Sequence, residues 1–554
     1  MRYRGNHYLL FIILWLVLFF LYLPATHAGF VADFTGWLND IRTSGFWDYI
    51  NRTHFSVKSL YQFTQFTTYI FYRLFGIHAL YWHLLHISLQ AINSFLWFLL
   101  CSRIFSDSNI KNANLVAFAG TLIFCVNPYL SEVIVWEPSF HYLQGFLLIL
   151  LILLWVQKFH YSSHIKYAWF SGIVFFLSTY SLEIFYLTPF FVCTLALYYR
   201  LALHYDKTLL KKTLLWFLLP QLILCALYLV VYHITYGEWM PHLKDTALHN
   251  SWRYYLSKPA KYIFFLLFSG RFFSADIKQK VYDVCQSYLG IFIILFALFA
   301  TSVYIAFRFK SFKPRAKTIS LLFIWILPVL IIMGPLWFPE SEQYIFCDRY
   351  LYLLSAIIYM LTCLILYTLV NRYVFIVLVA LYVLMNVYIT SKLNKFWKQS
   401  ADIVHTLLYD LPNANNKKVL LLDLPENYKG IYMIDATAEG EYKLMHNELV
   451  PEKIKNVVYD VVSFNMNSIH DGAHVLVLND TTIHVTLNQS GSWWWYHAHG
   501  AVDYENEDYA VHIIKAGRDY ILSLKKPADN YLLLYMADGQ WKTVDLNNKK
   551  TEQL

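Results

Sequence analysis

Carboxylates and cations recur in this chain just outside apolar runs of membrane length. The first such stretch, 29–40 (GFVADFTGWLND), brings Asp33 and Asp40 directly after the first run. A carboxylate at a water boundary with apolar surroundings is partly desolvated, which raises its basicity towards the range where it can take a proton from a hydroxyl. The alternative is a solvated loop acid. Further ionisable groups at run edges are Asp48, Arg52, His54, Lys58, His83, Glu132, Glu137, His141, Glu183, Asp348 and Arg349. Charge beside hydrocarbon is costly, so such residues are functional candidates. An enzyme acting at the membrane surface on a lipid-linked substrate needs a base for the acceptor, cations for a departing phosphate and an apolar groove for the lipid. Asp33 or Asp40 supplies the first need, and Arg349, Lys58, Arg52 or Arg271 the second. An ion or proton pathway instead places carboxylates at mid-depth. The middles of these runs are nearly free of acids, which disfavours transport.

Composition sets the frame for these residues. With 58% hydrophobic and only 14% charged residues, and a mean hydropathy of +0.42, the chain is a polytopic membrane protein. The net charge of +8 does not indicate nucleic acid, because the basic residues lie mostly between apolar runs. No two of the seven cysteines (101, 125, 193, 225, 285, 347, 363) have CxxC spacing, so neither a zinc nor a redox motif is present.

About eleven runs approach the ~20 residues needed to span hydrocarbon: 8–25, 76–100, 114–130, 141–157, 167–183, 186–204, 213–233, 289–308, 318–338, 350–370 and 373–391. The first also resembles a signal peptide ending in a small-residue site, but its apolar core is longer than usual and a retained helix is expected. With the N-terminus in the cytoplasm, the inner loops collect Arg103, Lys111, Lys158, Lys166, Arg200, Lys207, Lys211, Lys212, Arg308, Lys310, Lys313, Arg315, Lys317 and Arg372. That bias sets the orientation. Asp33, Glu132, the 234–288 segment and Arg349 then all lie on the outer face. Segments 29–75 and 234–288 are rich in aromatics interleaved with polar groups and predict amphipathic helices lying in the interface; a re-entrant or short spanning helix at 259–273 is the alternative.

The expected division is a membrane domain, 1–395, and a soluble outer domain, 396–554. Short apolar or alternating runs near 419–424, 457–462, 474–478, 482–487, 509–514, 520–524 and 531–535, separated by Asn, Asp and Gly turns, predict a β-rich (α+β) fold there. In 493–499 (WWWYHAH), His497 and His499 alternate as metal ligands would in a strand. No third ligand is marked, so an aromatic patch is the preferred reading.

Several strings, in order over about 390 residues, resemble the GT-C fold polyprenyl-phosphate-sugar glycosyltransferases, most closely the protein O-mannosyltransferase-like branch with the transmembrane and tetratricopeptide-repeat mannosyltransferases. Phe30-Val-Ala-Asp33 is similar to that family's Phe-x-x-Asp-Asp, and Tyr81-Trp-His83 with Asn93 to its second-helix pattern. Glu132-Val-Ile-Val-Trp136 resembles its Glu-x-Val-x-Trp turn, Ser181-Leu-Glu183 with Pro189 its Lys-Glu and Pro pair, and 348–355 (DRYLYLLS) its Glu-Arg-Tyr-Leu-Tyr-Leu-Pro-Ser. Phe34 replaces the second acid, which argues against a two-carboxylate divalent-cation site. Asp40 is too far along to substitute without a specific loop fold. Lys58-Ser59 stands near the family's Arg-Pro, Leu182 replaces its Lys, and the repeats are absent.

The resemblance implies inverting displacement at an anomeric carbon. Asp33 would be the base, and Arg349, with Lys58 and Arg52, would hold the polyprenyl phosphate. Glu132, Trp136, Glu137, His83, Glu183, Asp348 and Asp40 would line the sugar and acceptor side. Simpler roles stand beside these: an Asp348–Arg349 ion pair, a belt tryptophan at 136, a packing histidine at 83. The acceptor would be a protein or an envelope glycan or glycolipid, at the outer face of a bacterial inner membrane. A non-catalytic membrane-anchored carbohydrate-binding or sensing protein, or a transporter, is the alternative.

Overall fold

The computed structural model describes residues 7–32, 34–51, 60–239, 252–273, 275–288, 314–333, 348–409, 411–412, 417–434, 458–487, 492–493, 502–515 and 518–546. Within them seven helices are long and apolar enough to cross a membrane, or eight if a bent pair is one span, so the protein is multi-pass. The expected run 289–308, Cys347, His497 and His499 lie outside the described residues.

The first apolar run is a helix, His7–Tyr22, whose Leu14, Leu18 and Tyr22 are completely buried against the rest of the bundle. Asn394 closes it from the far end of the chain by donating to the Leu21 carbonyl at 2.8 Å. Two runs differ from the sequence expectation. The 114–130 run breaks at Asn127-Pro128, because proline has no N–H to donate and Asn127 turns its side-chain oxygen onto the Tyr129 N–H at 2.8 Å. The bend is 56°. The 167–183 run forms only the 13-residue helix Lys166–Ser178 before a turn and the short 3-10 segment Glu183–Tyr186.

The segment after the first helix folds as the expected short helices, Phe34–Thr43, Phe46–Asn51 and Gln62–Phe75. Their aromatics close two small clusters, Phe34, Trp37, Leu38 and Trp82, and Ile41, Tyr49 and Ile50. Helices Trp252–Leu267 and Ala275–Ser287 flank a turn carrying Arg271.

The expected boundary at 395/396 falls inside one 38-residue helix, Arg372–Tyr409. Its last turns, with Val404 and Leu407, belong to the core of the C-terminal domain, and Trp541 donates to the Leu407 carbonyl at 2.9 Å. Three sheets follow among the described residues. In the first, Lys418–Leu421 lies parallel to both Tyr531–Ala537 and Val458–Asp460, with Gln540–Thr543 at the edge. The second is a five-stranded antiparallel sheet built on Thr482–Leu487 and Asp519–Leu524.

The runs expected at 419–424 and 457–462 each cross from one sheet to another. Leu424–Tyr428 and Ser463–Met466 pair in parallel in a third sheet. At that crossing the Asp423 carboxylate accepts the Met536 N–H at 2.6 Å.

Candidate functional site

The break at Asn127-Pro128 starts a short helix, Ser131–Val135, that carries Glu132 into the protein beside the 3-10 turn Asp348–Leu351. Asn127 also donates to Ser355 Oγ at 3.3 Å, tying the two segments together. The first N–H groups of a helical segment have no partner within it. Here the Arg349 N–H gives its bond to Glu132 Oε2 at 2.9 Å, and the Arg349 guanidinium pairs with Oε1 of the same carboxylate.

The bland alternative of an Asp348–Arg349 pair is not what forms. Asp348 instead pairs with Arg271 Nε at 2.8 Å, and both groups are buried. Successive residues of one turn thus hold opposite charges against different partners.

The guanidinium is further enclosed by aromatics. It donates to the Tyr432 hydroxyl at 3.2 Å and the Tyr350 hydroxyl at 3.3 Å, and lies 4.9 Å over the Trp136 ring and 4.7 Å over the Tyr350 ring. Trp136 is buried, stacked on Tyr432 at 4.7 Å with 13° between the planes. Cation–π and hydroxyl contacts of this kind hold a guanidinium in place while leaving its charge intact.

On the other side of the turn, Lys278 stands close to Arg271. Burial and the Arg271 charge push its ammonium down to about 7, with Asp348 opposing and Lys261 adding to the fall. Burial also lowers Arg271, against the pull of Asp348.

A second polar cluster lies behind Trp136. Glu137 and His83 are both buried, with His83 Nδ1 3.5 Å from Glu137 Oε1 and His83 Nε2 3.2 Å from the Ala28 carbonyl oxygen. Neither Glu137 oxygen has a hydrogen-bond partner among the described residues. His86 contacts the Val133 carbonyl oxygen through Nδ1 at 3.2 Å.

Glu183 stands at the far end of a chain of aromatic rings that runs from the Arg349 cluster. It accepts from the Tyr61 hydroxyl at 2.6 Å, and the Tyr61 ring stacks on His141 at 5.9 Å. Asp40 is half-buried on Phe34–Thr43 and acts on Tyr49, whose phenol is raised by burial and then by the Asp40 charge.

Of the residues singled out from sequence, Glu132, Trp136, Asp348 and Arg349 come together, with Glu137 and His83 adjoining through the Trp136-Glu137 step. Glu183 reaches that group through rings: His141 lies 4.7 Å from Tyr142, and Tyr142 meets the Tyr350 ring edge-on at 6.4 Å. Asp33, Arg52 and Lys58 lie outside the described residues. The neighbours of Asp33 are placed: the Ala32 N–H donates to the Met433 carbonyl at 2.9 Å, and the Phe34 ring meets Trp82 edge-on at 4.9 Å. Among the described residues no three His, Cys, Asp or Glu side chains gather to hold a metal ion.

Sequence reasoning missed Tyr432, which enters from the C-terminal domain, and Tyr350, which looked like one more aromatic of an apolar run. No local signal marks Tyr432. Its role depends on a contact across 83 residues of chain.

No protein-family model and no curated protein matches the chain. Among solved structures it is similar to ArnT from Cupriavidus metallidurans bound to undecaprenyl phosphate, with a TM-score of 0.43 and 12% identity over 93% of this chain and 97% of that one. The apo state of ArnT from the same organism gives 0.41 and 12% over the same shares. Archaeoglobus fulgidus oligosaccharyltransferase tethered with an acceptor peptide gives 0.37 and 13%, over 74% of this chain and 58% of that one. Likeness at this distance assigns no role to any residue.

Proposed function

We propose that this protein is a membrane glycosyltransferase that moves a sugar from a polyprenyl-phosphate donor to an acceptor hydroxyl at the outer face of a bacterial inner membrane. The observation that carries this reading is the Arg349 guanidinium at the start of a membrane span, oriented by Glu132 and enclosed by Trp136, Tyr350 and Tyr432. A fixed guanidinium suits a phosphate whose charge grows as it leaves, because its donors match phosphate oxygens in geometry and need no reorganisation during the reaction. Arg271, on the turn Gly270–Phe272 and paired with Asp348 next to Arg349, is a further cation nearby, and Lys58 and Arg52 are assigned to the same phosphate.

In the proposed step the acceptor oxygen attacks the anomeric carbon as its proton passes to Asp33. The bond from that carbon to the phosphate oxygen breaks with inversion, and the polyprenyl phosphate departs with the electron pair. Glu137, His83, Glu183, Asp348 and Asp40 belong, in this reading, to the surroundings of sugar and acceptor. The acceptor is a protein or an envelope glycan or glycolipid.

Mass spectrometry of protein- and lipid-linked glycans tests the reading in cells that carry the wild-type chain, Asp33→Asn, Arg349→Met or no chain. Loss of one sugar increment in the last three strains is expected. Unchanged glycans in all four strains would overturn the proposal.

A further inference from the structure

The outer domain is joined to the membrane domain by more than its linking helix. Strand Leu424–Tyr428 turns back on Ile431–Tyr432 through Lys429-Gly430, with φ of +53° and +83°. Positive φ at both central positions is the type I′ geometry that matches strand twist, and glycine takes it without steric cost. Asn427 braces the turn by accepting the Gly430 N–H at 3.0 Å, and the Met433 N–H closes onto the Glu426 carbonyl at 2.8 Å.

The end of the hairpin's second strand is then held from two directions, by the linking helix Arg372–Tyr409 and by the segment before Asp33. The Ser400 hydroxyl donates to the Tyr432 carbonyl at 2.6 Å, and the Met433 carbonyl accepts from Ala32, the residue before Asp33. Between these anchors the Tyr432 ring lies on Trp136 and its hydroxyl receives the Arg349 bond.

From this arrangement we propose that Tyr432 is a positioning residue for Arg349, and that the C-terminal domain completes the site by supplying it. Glu132 neutralises the guanidinium from within the membrane domain. Tyr432 limits how far the guanidinium can swing, because its hydroxyl accepts from the same Nη1 that Glu132 holds and its ring backs the Trp136 face on which the guanidinium lies. A domain held only by the helix Arg372–Tyr409 would have no need of a braced hairpin reaching both Arg349 and the Asp33 segment. The consequence for a donor rests on the reading of Arg349 as the phosphate-binding cation; the positioning itself does not.

The two are separable by arginine-specific dicarbonyl labelling of the purified full chain, read residue by residue by mass spectrometry. Tyr432→Ala should raise labelling of Arg349 about tenfold, the order expected for loss of a hydrogen-bond acceptor and of the ring that holds Trp136 under the guanidinium. Tyr432→Phe, which keeps the ring, should fall between and covers the case in which the alanine variant does not fold. Arg271, buried in its pair with Asp348, should stay protected in every variant, and Arg103, whose side chain is half-exposed, should react equally in all. Unchanged labelling of Arg349 in both variants, or a rise matched by Arg271, overturns the proposal, the second outcome marking general loosening.

Undecaprenyl phosphate is then titrated as the probe. Protection of Arg349 in the wild type, needing about tenfold more lipid in Tyr432→Ala, extends the positioning to the donor. Absence of protection with the Tyr432 effect intact supports the positioning and strikes only the lipid-phosphate reading.

Discussion

Arg349 gives two bonds to one carboxylate: its main-chain N–H meets Glu132 Oε2 at 2.9 Å while its guanidinium pairs with Oε1. Glu132 therefore both caps the start of the Asp348–Leu351 turn and sets the direction of the charge. Removing it leaves a largely buried guanidinium and an orphaned N–H together. Glu132→Ala should cost about 3–5 kcal/mol of stability, the range for breaking a buried pair from one side. Glu132→Gln, which keeps an acceptor for the N–H and loses the charge, should fall between. Thermal unfolding of the purified chain checks both, and equal midpoints for the two variants would contradict the dual role.

Arg349→Lys keeps the charge but not the fork. The ammonium cannot bond Glu132, Tyr350 and Tyr432 in the same planar arrangement. Sugar transfer should drop about 10²- to 10³-fold, the loss typical of removing one preorganised charge-stabilising donor. The drop should appear in kcat more than in the donor KM. A change confined to KM would mean that the arginine only binds the donor.

Asp33→Asn should abolish proton acceptance while retaining donor binding. Transfer should fall about 10²- to 10⁴-fold, the usual contribution of a general base. Binding of undecaprenyl phosphate by native mass spectrometry should be unchanged. Full transfer by the variant would move the base elsewhere in the site.

Glu137 and His83 sit 3.5 Å apart with little else to satisfy the carboxylate. His83→Ala should destabilise the chain by about 1–3 kcal/mol, because it leaves the Ala28 carbonyl without its buried partner and takes the nearby imidazole away from Glu137. Glu137→Gln in the same background should recover part of that loss, because an amide is cheaper to bury than a carboxylate. Additive losses in the double variant would show that the two side chains are not coupled.

The C-terminal domain carries an acid-sensitive group in Asp508. Burial alone would raise its carboxyl, but hydrogen bonds from Lys418, Lys526 and Tyr531, with the Lys418 charge, hold it down at about 2 against an ordinary 3.8. A carboxyl depressed in the fold contributes stability in full above its unfolded value and loses it as pH falls through the folded one. Unfolding of the C-terminal domain should therefore become easier between about pH 4 and pH 2. Asp508→Asn should lower stability at neutral pH and flatten that part of the profile. An unchanged acid slope would assign the sensitivity to other groups.

Much of the architecture was legible because it follows from local pattern. Apolar length marks spans whatever they pack against, and strand alternation in 474–487 and 509–524 marks a half-buried sheet. The motif strings at Glu132–Trp136 and Asp348–Arg349 directed attention to four residues that do meet. What escaped was set by breaks and crossings. Asn127-Pro128 cuts a run that reads as continuous, Lys166–Ser178 stops short of its apolar stretch, and the last helix carries past the change in composition into the core of the C-terminal domain. Runs at 419–424 and 457–462 look like single strands because hydrophobicity does not record which sheet a residue joins.

Sequence by itself determined the membrane class, the strand-rich C-terminal domain and the list of charges worth examining, because burial cost and periodicity act on neighbours in the chain. Only the tertiary structure decided how those charges pair. Arg349 chose Glu132 over the adjacent Asp348, Asp348 took Arg271, and Tyr432 arrived from another domain. Pairing energy depends on distance and burial in space, which chain order does not encode.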